Sequence, residues 1–253
     1  MKLIITDLDN TLLTSDKNIS EYTVRVLEEC RKQGHMLAFA TARSEASITR
    51  FVEMLKPNVI VSNGGAVIRS GGEVIYQNLM SAQDVSKIIE MFFAFTDGKG
   101  LMTLDCEDGY YCNFRPSDAD RYGGYVQTDF KEFKCCAHKI TAGLERDEWA
   151  EKIAKACPDC TVVSFTGEIW RGISAKNSDK GTALSVLVSH LGIGAEDVIA
   201  FGDDTNDIGM LKLAGTAVAV LNAIDEVKAV AEYVTDSNDQ DGVARFLQKT
   251  LLA

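Results

Sequence analysis

Short apolar runs alternate with amphipathic stretches at both ends of this 253-residue chain, and the alternation breaks off in the middle. LIIT at the start, HMLAFAT and NVIVS read as buried strands, the last running into a glycine turn. Between the first two, Ser20 reads as a helix N-cap, Tyr22, Val26, Leu27 and Cys30 recur at helical spacing, and Gly34 is a stop. SEASITRFVEML predicts the next helix. Toward the other end DKGTALSVLVSHLG, NDIGMLKLAG, AIDEVKAVA and DGVARFLQKTLL read as helices, and DVIAFG, TAVAV and EYVT as strands. Strands separated by helices run parallel. The two ends together therefore predict a doubly wound, Rossmann-like α/β core over residues 1–80 and 179–253.

Residues 81–178 have a different texture. LMTLDC, YYCNF, KCCAHKIT, TVVSF and EIWRGIS are strand-like, with helical stretches only at SAQDVSKIIEMFFAF and RDEWAEKIAKAC. The segment is too long for a loop, because unstructured connections beyond about 15 residues are uncommon in compact domains. It predicts an inserted α+β domain.

The bulk composition supports a folded core and removes several partners. With 46% hydrophobic and 25% charged residues the chain can bury a sizeable interior. A net charge of -11 lacks the basic excess that nucleic acid or an anionic membrane requires. No apolar run approaches the roughly 20 residues of a membrane span, and the first strand begins without a charged-then-apolar leader, so the expected location is the cytoplasm. The seven cysteines are scattered and odd in number, which reads as reduced thiols. CPDC at Cys157–Cys160 resembles a redox or zinc half-site, but it has no second pair at metal spacing and closes a helix instead of opening one. His35, His138 and His190 stand apart from any ligand cluster.

Chemistry enters where the first strand ends. Asp7 and Asp9 follow Leu3, Ile4 and Ile5, and residues two apart on an extended segment face the same way. In an open α/β sheet the ligand crevice lies beyond the carboxyl ends of the strands. Thr41, Asp203, Asp204 and Asp207 are expected at the same edge, and Lys180 at the start of the helix after the insertion. Two carboxylates about 5 Å apart repel by roughly 3 kcal/mol at an effective dielectric of 20. Such a cluster asks for a cation, and an all-oxygen site with water access suits Mg2+. With Lys180 as a fixed charge and Thr41 as a hydroxyl donor, it would bind an anion such as phosphate. One carboxylate could then act as nucleophile and the other exchange protons with leaving group and water. Taken singly, each feature has an ordinary explanation as a turn, a cap or a solvated charge; their joint placement on one sheet edge is what carries weight.

Those segments resemble the haloacid dehalogenase (HAD) superfamily of aspartate-nucleophile phosphatases. DLDNTLL, with Asp7, Asp9 and Thr11, is similar to its first motif, FATAR to its second, SDKGTAL to its third and GDDTNDIGML to its fourth, in the right order along the whole chain. The insertion resembles the type-IIB cap, and SNGGAVI with DSNDQDGVARFL is similar to the Cof-like members. Asn10 stands where that family often has glycine, and Ala42 where TGR is commoner.

The resemblance implies Asp7 as nucleophile and Asp9 as acid, then base. It implies Mg2+ held by the Asp7 carboxylate, the Asp9 main-chain carbonyl and Asp203, with Asp207 bound directly or through water. Thr41 and Lys180 would grip the phosphoryl oxygens, Asn206 would help orient the site, and Thr11 would stiffen the loop. Ala42 and Arg43 belong to the substrate-binding stretch. Arg43 and Asn63 read either as leaving-group or cap contacts, or as a salt bridge and a turn residue; Tyr110, Tyr111, Arg115 and Arg171 read either as cap residues that meet a sugar or carboxylate, or as packing and solvated charge. The expected activity is hydrolysis of small phosphorylated metabolites, such as sugar phosphates or phosphoglycolate, by a monomer or homodimer. A phosphomutase or phosphotransferase would share the core. A non-enzymatic receiver domain would carry its acceptor Asp after a middle strand, where this chain has SNGG, and would be roughly half this length.

Overall fold

The computed structural model describes residues 1–115, 124–164 and 169–252. The chain opens with β1 (Leu3–Thr6), α1 (Glu21–Lys32), β2 (Met36–Ala40), α2 (Glu45–Leu55) and β3 (Val59–Ser62). Ser20 is the N-cap of α1, its side chain accepting from the Thr23 N–H at 3.0 Å, and Gly34 follows the helix at φ 85°. A strand pair then follows, β4 (Val67–Ser70) and β5 (Glu73–Gln77), around Gly71 and Gly72 with φ 57° and 90°. Next come α3 (Ala82–Phe95), β6 (Met102–Cys106), β7 (Gly109–Cys112), β8 (Val126–Gln127), β9 (Lys139–Gly143), α4 (Asp147–Ala156), β10 (Cys160–Ser164) and β11 (Trp170–Ala175). The chain ends with α5 (Lys180–Leu191), β12 (Val198–Gly202), α6 (Ile208–Leu213), β13 (Thr216–Ala219), α7 (Asp225–Val230), β14 (Tyr233–Val234) and α8 (Gly242–Thr250).

These elements form two compact units. The first, Met1–Arg43, Arg50–Tyr76 and Asp179–Ala253, holds an eight-stranded sheet in the order β14-β13-β12-β1-β2-β3-β4-β5. From β14 to β3 every pairing is parallel, with Leu3 in register with both Val198 and Met36. The pair β3–β4 is antiparallel, so β4 and β5 extend the edge of an otherwise parallel sheet. The strand β1 is buried along its whole length, because both its neighbours and both its faces are covered, and this is why it reads as an unbroken apolar run. Successive strands run outward from β1 on one side, and the chain returns to β12 on the other, so β1 and β12 flank the switch point where open α/β sheets bind ligands.

The second unit, Ser44–Thr49 and Gln77–Ser178, has a six-stranded sheet in the order β10-β11-β9-β6-β7-β8. It is antiparallel except for β7–β8. Val85, Ile88 and Phe92 of α3 and Ile153 of α4 pack with Met102, Leu104, Ile140 and Ile173 of the strands into a core of their own. The expected strands TVVSF and EIWRGIS run on to Phe165 and begin at Glu168, which lie outside the described residues. CPDC is a turn: Cys160 N–H donates to the Cys157 carbonyl at 3.0 Å, both thiols are buried, and burial raises both above the ordinary thiol range. No helix among the described residues is long and apolar enough to cross a membrane.

Candidate active site

Four loops of the first unit bring the expected residues together. The Asp7 N–H donates to the Phe201 carbonyl at 3.1 Å, so the β1–β12 pairing continues one residue beyond the strand and leaves the Asp7 side chain at the sheet's carboxyl edge. Asp7, Asp203 and Asp207 are buried there, each offering a carboxylate oxygen, and these oxygens lie within 4.8 Å of one another. It is the only such acidic, histidine or cysteine cluster among the described residues. Lys180, at the first turn of α5 and 1% exposed, donates to Asp207 Oδ1 at 2.6 Å, lies 2.9 Å from Asp7 Oδ1 and reaches Asn206 Oδ1 at 3.5 Å.

Two glycines make this convergence possible. A Cβ on Gly202 would stand 2.5 Å from that of Asp207, so only glycine lets the Asp207 side chain fold back and accept from the N–H groups of Asp203 and Asp204, at 2.9 and 3.1 Å. A Cβ on Gly181 would meet the Gly209 backbone at 2.8 Å, so α5 and α6 touch backbone to backbone, next to Lys180. Asp204 does not join the cluster. It caps the turn Thr205–Asp207, accepting from the Thr205 N–H at 2.7 Å.

The charges do not balance. With all three carboxylates ionised, one ammonium against them would leave two negative charges in a buried place. Burial drives the Asp7 carboxyl well above the usual range; Lys180 opposes that, and Asp207 and Asp203 add to it. Asp203 is pushed up to about 6, first by burial, although the Thr11 hydroxyl donates to its Oδ1 at 2.6 Å. Burial alone would lower Lys180, but Asp207 and Asp7 outweigh it and keep it protonated. An all-oxygen set with excess negative charge fits a hard divalent cation. Thr11, expected to stiffen its own loop, donates to a member of the cluster on another loop, Asp203. Thr11→Val, which keeps the shape and removes the donor, should cost about 1–3 kcal/mol in a denaturant titration and weaken divalent-metal affinity; an unchanged midpoint and metal titration would refute that role.

Asp9 is placed differently. Its carboxylate does not belong to that cluster and forms a two-pronged pair with Arg43, Nε to Oδ2 at 2.6 Å and Nη2 to Oδ1 at 2.7 Å, while Lys17 Nζ lies 2.9 Å from Oδ1. Burial pushes Asp9 up, but Arg43 and Lys17 outweigh it and hold it at about 2. Of the two readings of Arg43, the salt bridge is present, and its partner is Asp9. Sequence reasoning missed Lys17, for a lysine in a polar loop carries no local signal. The next residue, Asn10, has φ 57°, a left-handed conformation that glycine and asparagine tolerate best, so asparagine can stand at a position where glycine is frequent.

Thr41 is buried at the end of β2, with its hydroxyl oxygen accepting from the Arg43 N–H at 3.1 Å; Ala42 lies between the two. Asn63, at the end of β3, is 5% exposed with φ 52°, and its Oδ1 has no hydrogen-bond partner among the described residues. In the second unit Arg171 is buried and pairs with Asp147 at 2.9 Å, and Tyr111 donates to Asp108 at 2.9 Å and packs edge-on to Phe133. Both therefore have structural partners within the second unit. Tyr110 lies on β7, and Arg115 is exposed.

A family model described as haloacid dehalogenase-like hydrolase matches residues 4–247. The chain belongs to that family. This HAD-like hydrolase is 28% identical over 291 residues to the 5-amino-6-(5-phospho-D-ribitylamino)uracil phosphatase YwtE of Bacillus subtilis, covering 99% of this chain and 98% of that one. It is 29% identical over 255 residues to the phosphoglycolate phosphatase of Methanopyrus kandleri, covering 98% and 97%. Among solved structures, the HAD subclass IIB sugar phosphatase BT4131 superposes with a TM-score of 0.82 over 98% of each chain, at 23% identity, a likeness of fold. The hydrolase is thus an enzyme of the phosphatase kind, acting on phosphoric monoesters.

Proposed function

We propose that this hydrolase is a Mg2+-dependent phosphatase of small phosphorylated metabolites, sugar phosphates or phosphoglycolate-like monoesters, working through an aspartyl-phosphate on Asp7. The observation that carries the reading is the arrangement of Asp7, a buried carboxylate within 4.8 Å of those of Asp203 and Asp207 and 2.9 Å from the Lys180 ammonium. Asp7, Asp203 and the Asp9 main-chain carbonyl would hold the metal, with Asp207 as direct or water-mediated ligand. When bound, Mg2+ would offset the excess negative charge and draw electron density from the phosphoryl oxygens.

The chain's own groups do the rest. The Asp7 carboxylate attacks phosphorus in line, the bond to the leaving oxygen breaks with its electron pair, and Asp9 supplies the proton to that oxygen. Asp9 then takes a proton from the water that attacks phosphorus and frees Asp7. Held at about 2, Asp9 is in the state that suits the second half. To act as acid in the first half it must carry a proton, so Arg43 and Lys17 have to release it as substrate enters. Lys180 and the Thr41 hydroxyl bind the transferring oxygens, the N–H groups of the Ala42–Arg43 stretch lie beside them in sequence, and Asn206 helps orient Lys180 through its 3.5 Å contact. The inserted domain, residues 81–178, is proposed as the cap that selects the leaving group.

Two relatives of nearly equal identity act on a ribitylaminouracil phosphate and on phosphoglycolate, so relatedness alone does not choose the substrate. The test is orthophosphate release from a panel of phosphorylated metabolites, with EDTA and with Mg2+ restored. Release that stops in EDTA and returns with Mg2+ is expected. Full release in EDTA would contradict the metal reading, and transfer to a second hydroxyl without released phosphate would make the protein a phosphotransferase.

A further inference from the structure

The loop that carries Asp9 forms one wide helical turn over Leu8–Leu12. The Leu13 N–H donates to the Leu8 carbonyl at 2.8 Å, and within that turn stands Asn10 in its left-handed conformation. The Asn10 and Leu13 carbonyls are met instead by side chains from far along the chain. Asn222 Nδ2 donates to the Asn10 carbonyl at 2.8 Å, and Asn238 Nδ2 donates to the Leu13 carbonyl at 3.0 Å.

The two amides are themselves fixed. The Asn238 N–H donates to Asn222 Oδ1 at 3.0 Å, so the Asn222 amide accepts on one side and donates on the other and cannot flip without losing a bond. Asn222 also belongs to the turn whose Ile224 N–H donates to the Asp203 carbonyl at 3.0 Å. One short segment therefore grips the Asp9 loop with a side chain and the Asp203 loop with its backbone. Asp239 and Asp241 extend the grip: Asp239 accepts from the Ser15 N–H and hydroxyl, both at 2.7 Å, and Asp241 accepts from the Thr23 hydroxyl at 2.8 Å.

We propose that Asn222 and Asn238 are positioning residues: their side-chain amides lock the Asp9–Asn10 turn against the Asp203 loop and so aim the Asp9 carboxylate for proton transfer to the leaving oxygen. This rests on the phosphatase reading. A carboxylate aimed badly by a fraction of an ångström still binds cations, yet loses its value as a proton donor, because proton transfer requires hydrogen-bond reach to a defined atom. The role therefore shows where protonation of the leaving group matters most.

The test compares kcat/KM for an alkyl phosphate, a poor leaving group, with that for p-nitrophenyl phosphate, which departs without an acid. Asn222 is exposed, so Asn222→Ala leaves the interior untouched; Asn238→Ala, at a buried position, is measured beside it with a melting curve for each. The expected result is a loss on the alkyl phosphate on the order of tenfold greater than on the aryl one, with the melting temperature of Asn222→Ala near that of wild type. Equal losses on both substrates, or none in Asn222→Ala, would overturn the positioning role. If wild type released phosphate from neither compound, the phosphatase reading itself would fall, and the positioning role with it.

Discussion

Asp7→Asn abolishes turnover on every phosphomonoester and leaves the fold intact. The amide has the size of the carboxylate but not its nucleophilicity, and residues that act as a nucleophile typically cost on the order of 10⁴-fold or more when replaced. The fold should tolerate the change because Asp7 lies at the end of a strand whose hydrogen bonding is backbone, including its own N–H to Phe201. Removing one of three crowded carboxylates relieves repulsion of about 3 kcal/mol per ionised pair at an effective dielectric of 20, which offsets the lost 2.9 Å ion pair with Lys180, and Lys180 keeps Asp207 at 2.6 Å. Melting temperature in the absence of metal should therefore hold or rise while phosphate release disappears. A variant that retained metal-dependent release would remove Asp7 from the chemistry.

Lys180→Met acts on both stability and activity. Lys180 pairs with both Asp7, at 2.9 Å, and Asp207, at 2.6 Å. Taking it away strands buried carboxylates, and breaking a buried pair from one side costs about 3–5 kcal/mol. The pH dependence has a definite sign. Asp203 has a folded-state value of about 6, above its ordinary one, so the folded protein holds that proton more tightly than the unfolded chain does. Its charge penalty is absent in acid and grows as pH rises from about 4 through 6, reaching roughly 3 kcal/mol. Without Lys180 the penalty should grow, so the metal-free variant should be markedly less stable than wild type at pH 7.5, recover toward pH 5, and be rescued in part by Mg2+. Denaturant midpoints at the two pH values check this. Equal midpoints for variant and wild type at pH 7.5 would show that the carboxylates are not jointly ionised.

The strand-and-helix alternation made the first unit's sheet legible, because strands covered on both faces are written as apolar runs and helices as periodic ones. The hairpin of β4 and β5 escaped that reading: the Gly71–Gly72 turn was its signal, but β5 is half exposed and has no apolar run to mark it. At the site, spacing brought Asp7, Asp203, Asp207 and Lys180 to one edge. It could not tell Asp203, which enters the cluster, from Asp204, which caps a turn, because that choice depends on how the backbone bends after Gly202. Nor could it show that Asp9 would be held by Arg43 and Lys17, since both contacts are made by long side chains across loops distant in sequence. The grip of Asn222 and Asn238 on the same loop is illegible for the same reason.

The most direct test of the account is to quench turnover in acid and locate the phosphoryl group on the protein by peptide mass spectrometry. A hydroxylamine-labile acyl phosphate is expected on the peptide carrying Asp7, formed with substrate and Mg2+ and absent from Asp7→Asn. Rapid phosphate release with no phosphorylated peptide at any quench time, or a phosphoryl group on another residue, would contradict it.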